Sequence, residues 1–359
     1  MRIGVLTTSY PRHQDDFSGA FVADFSRYLV THVGSVEVIA AHPRWPLFYR
    51  GGAPLKLKQW RNFPVAAAFT GRFAATLYRR VQRYDALVSH WLLPSALLGA
   101  AFAPDKPHLA IAHGSDVRLI KKLGGDRLLS WLSKRADLVT VARALTAHGR
   151  VVPMGIDVDQ FSRPADLDRH QLRKDLGLDR VTLLFLGRLV PEKGVDRLLR
   201  ALPENAYLVI AGDGAERARL ERLASGKPVR FLGEVLGQKK RDWLWAADLL
   251  VVPSQQNSEG APTVIAEALA AGLPIVAMRA GGIAEMCKDG STALLVDSEA
   301  ELRRALSRVV GDKSLRALLS RNGTGQARAF DWSVIGPQLA ASLVNENRPT
   351  EVPITVLRV

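Results

Sequence analysis

Cysteine is almost absent: Cys287 is the single one in 359 residues, so no intramolecular disulfide and no cysteine-rich metal site can form. A lone thiol fits a reducing compartment. The N-terminus, MRIGVLTTSYPR, passes from a short apolar pattern into a polar loop. It lacks the longer apolar stretch and small-residue cleavage site of a signal peptide. No run reaches the roughly 20 apolar residues of a membrane span; the nearest, WLLPSALLGAAFAP, has an interior proline. These absences predict a cytoplasmic protein. SGKP lacks the upstream glycine of a Walker loop, and the first strand pattern runs into TTSYPRHQDDFSGA rather than a glycine fingerprint, which argues against NAD or FAD.

Acids are scarce in the first half. Residues 1–150 hold 9 Asp and Glu against 21 Lys and Arg, whereas residues 151–359 hold 26 against 28, so most of the net charge of +14 belongs to the first half. It is densest over 44–83, which has nine basic residues, no acid, and interleaved aromatics such as Trp45, Trp60 and Tyr78. That mixture suits an anionic membrane surface, an anionic substrate or a nucleic acid. RNA-binding signatures are absent, so no nucleic-acid partner is expected. The alternative is a solvated loop and helix whose aromatics pack inward.

What is present is an α/β pattern. Apolar residues make up 47% of the chain, and the length suits two domains with a core each. Short apolar runs alternate with helical patterns, as in parallel sheets covered by helices. Strands are expected at 2–7, 36–41, 86–89, 108–112 and 138–142 in the first half. In the second half they are expected at 182–187, 207–212, 229–233, 249–253, 274–278 and 293–296. The polar stretch 157–180 separates the halves, giving domains at 1–155 and 156–330. Over 331–359 a last helix and a strand-free or weakly extended tail should cross back to the first domain.

Ligands of open parallel sheets bind beyond the carboxyl ends of the strands. In the second half those exits are Gly187-Arg188, Gly212-Asp213-Gly214, Gly233-Glu234, Pro253-Ser254 and Met278-Arg279 with Gly281-Gly282. Glycine there fits close approach of a ligand or of another backbone. In the first half the exits carry His42, His90 and His113, a polar rim in which His113 of HGSD has an acid, Asp116, nearby. DVD (157–159) and DLD (166–168) imitate metal-binding acid pairs, but they lie in a charged linker where Asp is favoured as a helix cap. No metal site is expected.

GRLVPEKG (187–194) sets Arg188 at a strand exit and Lys193 just before a helix, two cations able to share an anion such as a diphosphate. NSEGAPTVIAEALAA (257–271) holds two acids eight residues apart, Glu259 before an alanine-rich helix and Glu267 within it. Glu267 shares its face with Thr263, Ala270 and Ala271, so small neighbours leave room above its carboxylate. Sugar hydroxyls would offset the cost of burying that charge. The alternative is a glutamate on an exposed helix face.

EGAPTVIAEALAAGLPIVA resembles the signature of glycosyltransferase family 4, retaining enzymes of the GT-B fold (glycosyl transferases group 1). The likeness extends in order through SHWLLPSALLGA, HGSD, VPMGID, GRLVPEKGVD, AGDGAERARLE, FLGEV and AGGIAEMCKDG, nearly the whole chain. It implies two Rossmann-like parallel-sheet domains facing a central cleft, with 1–155 binding the acceptor and 156–330 the nucleotide-sugar. It also implies a hexosyltransferase that needs no metal and no cofactor beyond a UDP- or GDP-sugar donor. The acceptor would be lipid-linked, polysaccharide or another hydroxyl compound, as in cell-envelope glycan synthesis at the inner face of the membrane.

Carried onto these positions, the resemblance implies that Glu259 touches the donor sugar and Glu267 the ribose, with Gly260 and Ala261 beside the donor. Arg188 and Lys193 would neutralise the diphosphate, and Gly19 would bring backbone N–H groups to the phosphates. His113 would line the sugar site and Asp116 would border the acceptor. Gly19 stands between Ser18 and Ala20 where the family has two adjacent glycines, and Met154 replaces the asparagine of VPNGID. The rival readings are a GT-B sugar-nucleotide epimerase or hydrolase and a non-catalytic basic binding protein.

Overall fold

The structure, a computed structural model, describes residues 1–13, 16, 19–40, 63–122, 124–146, 148–256, 258–343 and 354–359. His42 and the part of the basic segment up to residue 62 lie outside the described residues. The chain divides into two compact units, residues 1–155 with 332–359, and residues 156–331.

The strands in chain order are β1 (Arg2–Thr7), β2 (Ser35–Ala40), β3 (Ala86–His90), β4 (His108–Ala112), β5 (Asp137–Thr140) and β6 (Arg150–Val151). There follow β7 (Thr182–Leu186), β8 (Tyr207–Ala211), β9 (Val229–Gly233), β10 (Leu249–Val252), β11 (Ile275–Met278), β12 (Ala293–Val296) and β13 (Thr355–Arg358). The first unit is a seven-stranded sheet in the order β13-β2-β1-β3-β4-β5-β6, and the second a six-stranded sheet in the order β12-β11-β10-β7-β8-β9. Every strand pair is parallel. Helices cover both faces of such sheets, so the strands are continuous apolar runs: β3, β4, β10 and β11 are buried at every residue.

The expectation of a strand-free or weakly extended tail is corrected by β13. It adds to the open edge of β2 in register from Thr355 opposite Glu37 to Arg358 opposite Ala40. Its Val356 and Leu357 satisfy an edge that would otherwise present unpaired backbone groups. Before it, the helix Trp332–Ala340 packs on the helix Ala20–His32 of the same unit: Trp332 stacks on Phe25 with centroids 5.6 Å apart. Two glycines permit the contact. A Cβ on Gly155 would lie 2.6 Å from the Trp332 ring, and one on Gly336 would lie 2.2 Å from the Tyr28 ring.

Each sheet reverses its strand order once, between β1 and β3 in the first unit and between β7 and β10 in the second. At such a point neighbouring loops leave in opposite directions and open a crevice at the carboxyl ends of the strands. The DVD and DLD acids do not form a ligand set. Asp157 and Asp168 cap helices, accepting from Gln160 N at 2.9 Å and Gln171 N at 3.0 Å, and Asp159 pairs with Arg328.

Candidate functional site

In the second unit the crevice between β7 and β10 is built by loops that hold one another. Arg188 leaves β7 between Gly187 and Leu189. That segment is fixed by bonds from Gly187 N to Ala211 O (3.0 Å), Leu189 N to Asp213 O (2.8 Å) and Glu216 N to Leu189 O (3.0 Å). A Cβ on Gly212 would sit 1.8 Å from Gly187 O, and one on Gly214 would sit 2.3 Å from Leu189 O. These exit glycines therefore serve the approach of one loop's backbone to another. Arg188 itself is half-buried and makes no side-chain hydrogen bond or ion pair among the described residues.

Lys193 ends the turn Pro191–Lys193. The turn is seated on the loop after β10: Gln255 N donates to Glu192 O at 2.9 Å and Gln255 Nε2 to Pro191 O at 3.0 Å. Gly194, at φ 64°, closes it, and a Cβ there would meet Pro253 O at 2.2 Å. This geometry delivers Lys193 Nζ to Glu259 Oε1 at 2.7 Å. The same oxygen accepts the Ser254 hydroxyl. The Glu259 side chain is 7% exposed, so the ammonium and the hydroxyl compensate a charge that burial would otherwise penalise. The loop after β11 grips the acid from behind. Gly282 N donates to Gly260 O at 2.9 Å, and Gly281 lies so close that a Cβ would be 2.0 Å from Glu259 O.

Ala261 and Pro262 lead into the helix Thr263–Ala270, with Pro262 at the cap rather than in the first turn. Gly272 at φ 66° ends it, and Leu273 N bonds Ala268 O at 2.8 Å. Glu267 is buried on this helix, but the space above it is filled by a lysine whose role its local sequence does not show. Lys240, from the first turn of the helix Gly237–Ala246, brings Nζ to 2.7 Å from Oε1 and 2.6 Å from Oε2. Its ammonium also lies 5.4 Å from the centre of the Phe161 ring. In the run QKKRD nothing singles out the lysine that turns inward, because such a run reads as a solvated face.

In the first unit Gly19 starts the helix Ala20–His32 at φ 72°, and a Cβ there would lie 2.3 Å from Ser9 O. Only glycine fits both the left-handed backbone and that contact. At the exits of β3 and β4, His90 and His113 lie edge to edge, with ring planes 9° and centroids 5.3 Å apart, and His90 Nδ1 lies 3.1 Å from His113 Nε2. Phe21 and Trp91 pack on His113 with centroids 4.8 and 4.9 Å away. Trp91 has φ 65°, a costly conformation for a non-glycine residue. Burial pushes the His113 imidazole down to about 3 and His90 well below its ordinary value, so both rings are neutral at pH 7.

Asp116, expected at the border of an acceptor, is turned into the backbone. Oδ2 accepts from Leu92 N at 2.8 Å, and Oδ1 accepts from Gly114 N and Val117 N at 2.9 Å each. Burial raises its pKa above the ordinary carboxylate value while these bonds oppose the rise. It ties the turn after β4 to the loop after β3, and so positions His113 and Trp91.

Two Rossmann-like parallel-sheet units of this kind define the GT-B class of fold. Residues 180–312, all within the second unit, match the model of the family described as Glycosyl transferases group 1. A D-inositol 3-phosphate glycosyltransferase of Nocardioides sp. is 36% identical over 223 residues, 55% of this chain and 48% of the relative. The GDP-mannose-dependent monoacylated alpha-(1-6)-phosphatidylinositol monomannoside mannosyltransferase of Corynebacterium glutamicum is 29% identical over 67% of this chain and 70% of its own. The chain spans about half the length of the D-inositol 3-phosphate glycosyltransferases it matches. Among solved structures, the sucrose-phosphate synthase of Thermosynechococcus elongatus superposes with TM-score 0.76 at 22% identity, over 95% of this chain and 98% of the other. Anabaena HepE in complex with UDP-glucose does so with TM-score 0.72 at 20% identity, over 96% and 99%.

Proposed function

We propose that the chain transfers a hexosyl group, with retention at the anomeric carbon, from a UDP- or GDP-sugar to a hydroxyl of a lipid-linked or polysaccharide acceptor. The acceptor oxygen bonds to the anomeric carbon, the bond from that carbon to the diphosphate oxygen breaks with its electron pair, and the acceptor proton passes to the leaving phosphate. The observation that carries the reading is Glu259, buried and oriented by Lys193 and Ser254 at the reversal of strand order in the family-matched unit.

Arg188 is the cation for the diphosphate, since no carboxylate among the described residues engages it. An ammonium has three N–H donors, so Lys193 can keep Glu259 while reaching a phosphate oxygen. Together they place positive charge where the leaving group gains negative charge, without requiring a metal. Glu267 takes the ribose, sharing its carboxylate with Lys240, and Gly260 and Ala261 border the donor. In the first unit Gly19 and His113 are the phosphate and sugar contacts, while Asp116 acts through the backbone it holds.

A phosphatidylinositol-based acceptor in one relative's name and the basic excess of residues 1–150 both favour an acceptor at an anionic membrane surface. No described helix is long and apolar enough to cross a membrane. Co-sedimentation with anionic but not neutral vesicles is expected; equal binding to both, or none, would contradict this part.

The full chain incubated with UDP- and GDP-sugars and candidate lipid or polysaccharide acceptors tests the whole reading. Acceptor-dependent sugar transfer is expected, with no loss on chelation of divalent metals. Release of nucleotide without a glycosylated product would point instead to the epimerase or hydrolase reading.

A further inference from the structure

The paired histidines at the exits of β3 and β4 form a single hydrogen bond, and the groups around them decide which ring donates. His90 Nδ1 lies 3.1 Å from His113 Nε2, and two neutral imidazoles share one proton there. His90 is fully buried, and its other nitrogen, Nε2, has no hydrogen-bond partner among the described residues. His113 is only partly buried and has no second hydrogen bond to a described residue.

Two arrangements satisfy the bond. If His113 donated, His90 would carry its own proton on Nε2, a buried N–H with no acceptor. If His90 donates from Nδ1, its Nε2 is a bare lone pair. A buried donor without a partner is the rarer and costlier defect, because an orphaned N–H loses a strong bond to water. The rings around His90, Phe21 and Phe25 at 6.1 and 6.0 Å, offer at most aromatic faces, which accept an N–H weakly. The second arrangement therefore prevails.

Its consequence falls on His113. With Nε2 accepting from His90, the His113 proton must sit on Nδ1. We infer that His90 is a positioning residue that fixes His113 in the Nδ1–H tautomer, so that His113 presents a hydrogen-bond donor, not a base, to whatever occupies the site beside it. A donor there suits an oxygen of a sugar hydroxyl or phosphate. This assignment rests on the glycosyl-transfer reading only for the identity of that oxygen; the tautomer itself does not depend on substrate.

The test reads the tautomer directly. The full chain is labelled with 13C,15N-histidine and its ring signals are recorded at neutral pH without substrate, with His113 assigned by their loss in His113→Asn. The wild type should show the Nδ1–H signature for His113. His90→Phe keeps an aromatic ring but not the donor, and should move His113 to the Nε2–H form or a mixture. His90→Asn, whose amide can place an N–H near the position of Nδ1, should restore it. Sugar transfer should fall roughly 10–100-fold in His90→Phe and recover most of that loss in His90→Asn. An Nε2–H tautomer in wild-type His113 would overturn the inference, as would a tautomer unchanged in His90→Phe. Because the wild-type spectrum is read without substrate or turnover, it decides the point even if no transfer is found.

Discussion

Lys193 and Glu259 meet at 2.7 Å across 66 positions of sequence, one brought by the loop after β7 and the other by the loop after β10. The contact closes the crevice at the reversal of strand order and joins the cation expected for a diphosphate to the acid expected for a sugar. Stability and the proposed donor recognition should therefore be coupled at this pair and separable elsewhere in the site.

Lys193→Met leaves the Glu259 carboxylate buried beside Ser254 without its ammonium. Removing one member of a buried pair costs about 3–5 kcal/mol. With Lys193 21% exposed, the lower end of that range or somewhat less is expected. Urea unfolding should show the loss, and sugar transfer should fall with it. Glu259→Gln in the same background should recover stability but not transfer, because the uncompensated charge is gone and the acid is not restored.

Arg188→Ala should behave in the opposite way. Arg188 has no partner among the described residues, so the unfolding free energy should stay within about 0.5 kcal/mol of wild type. Loss of a charge-assisted contact worth roughly 1.5–3 kcal/mol should weaken nucleotide diphosphate binding about 10–100-fold. Calorimetric titration with UDP and GDP checks the second point and a thermal melt the first.

Gly281→Ala should damage the site from behind. The residue is at φ 53°, and its new methyl would lie 2.0 Å from Glu259 O, so the acid must shift. A cost of roughly 1–3 kcal/mol and a marked loss of transfer are expected. Gly290→Ala is the control: φ is 71°, but nothing lies within 4 Å of the added carbon. It should cost about 1–2 kcal/mol of backbone strain and leave transfer intact.

Acid should destabilise the first unit. His108 is pushed down to about 4 and His113 to about 3 by burial, and His90 lies well below its ordinary value. Below about pH 6.5 the unfolded chain takes up protons that the folded rings refuse, so stability falls as pH drops toward 4. Each histidine contributes a slope of roughly 1.4 kcal/mol per pH unit within that window. Glu37 adds loss at lower pH. Burial would raise its pKa, but bonds from Tyr84, Arg2 and Arg80 hold it below the ordinary value. Asp116, raised by burial, acts in the opposite sense and blunts the effect. Urea midpoints measured from pH 7 to pH 4 check the direction; a flat profile would contradict it.

The strands were legible because a parallel strand covered on both faces must be apolar throughout, and each of the eleven expected runs has its counterpart within a residue or two. The tail strand was not. TVLR is four residues long, and its place beside β2 follows from an open edge that the local sequence does not reveal. Glu259 and Glu267 stood out as acids in an apolar setting, but their partners were only half visible. Ser254 was marked by its strand exit, whereas Lys240 was hidden in a charged run whose inward member depends on helix packing. Asp116 was expected at the border of an acceptor, because two backbone N–H groups of its own turn and Leu92 N from the loop after β3, all donating to it, leave no trace in HGSD beyond its glycine. His90 was noted as one of three exit histidines, and its pairing with His113 follows from β3 and β4 being neighbours.

Glu259, held by Lys193, is proposed to serve transfer of a sugar from a nucleotide diphosphate. The most direct measurement is acceptor-dependent incorporation of labelled sugar from UDP- and GDP-sugars by the full chain and by Glu259→Ala. Incorporation from a nucleotide-sugar by the wild type and its loss in Glu259→Ala are expected. Equal incorporation by both proteins would contradict it.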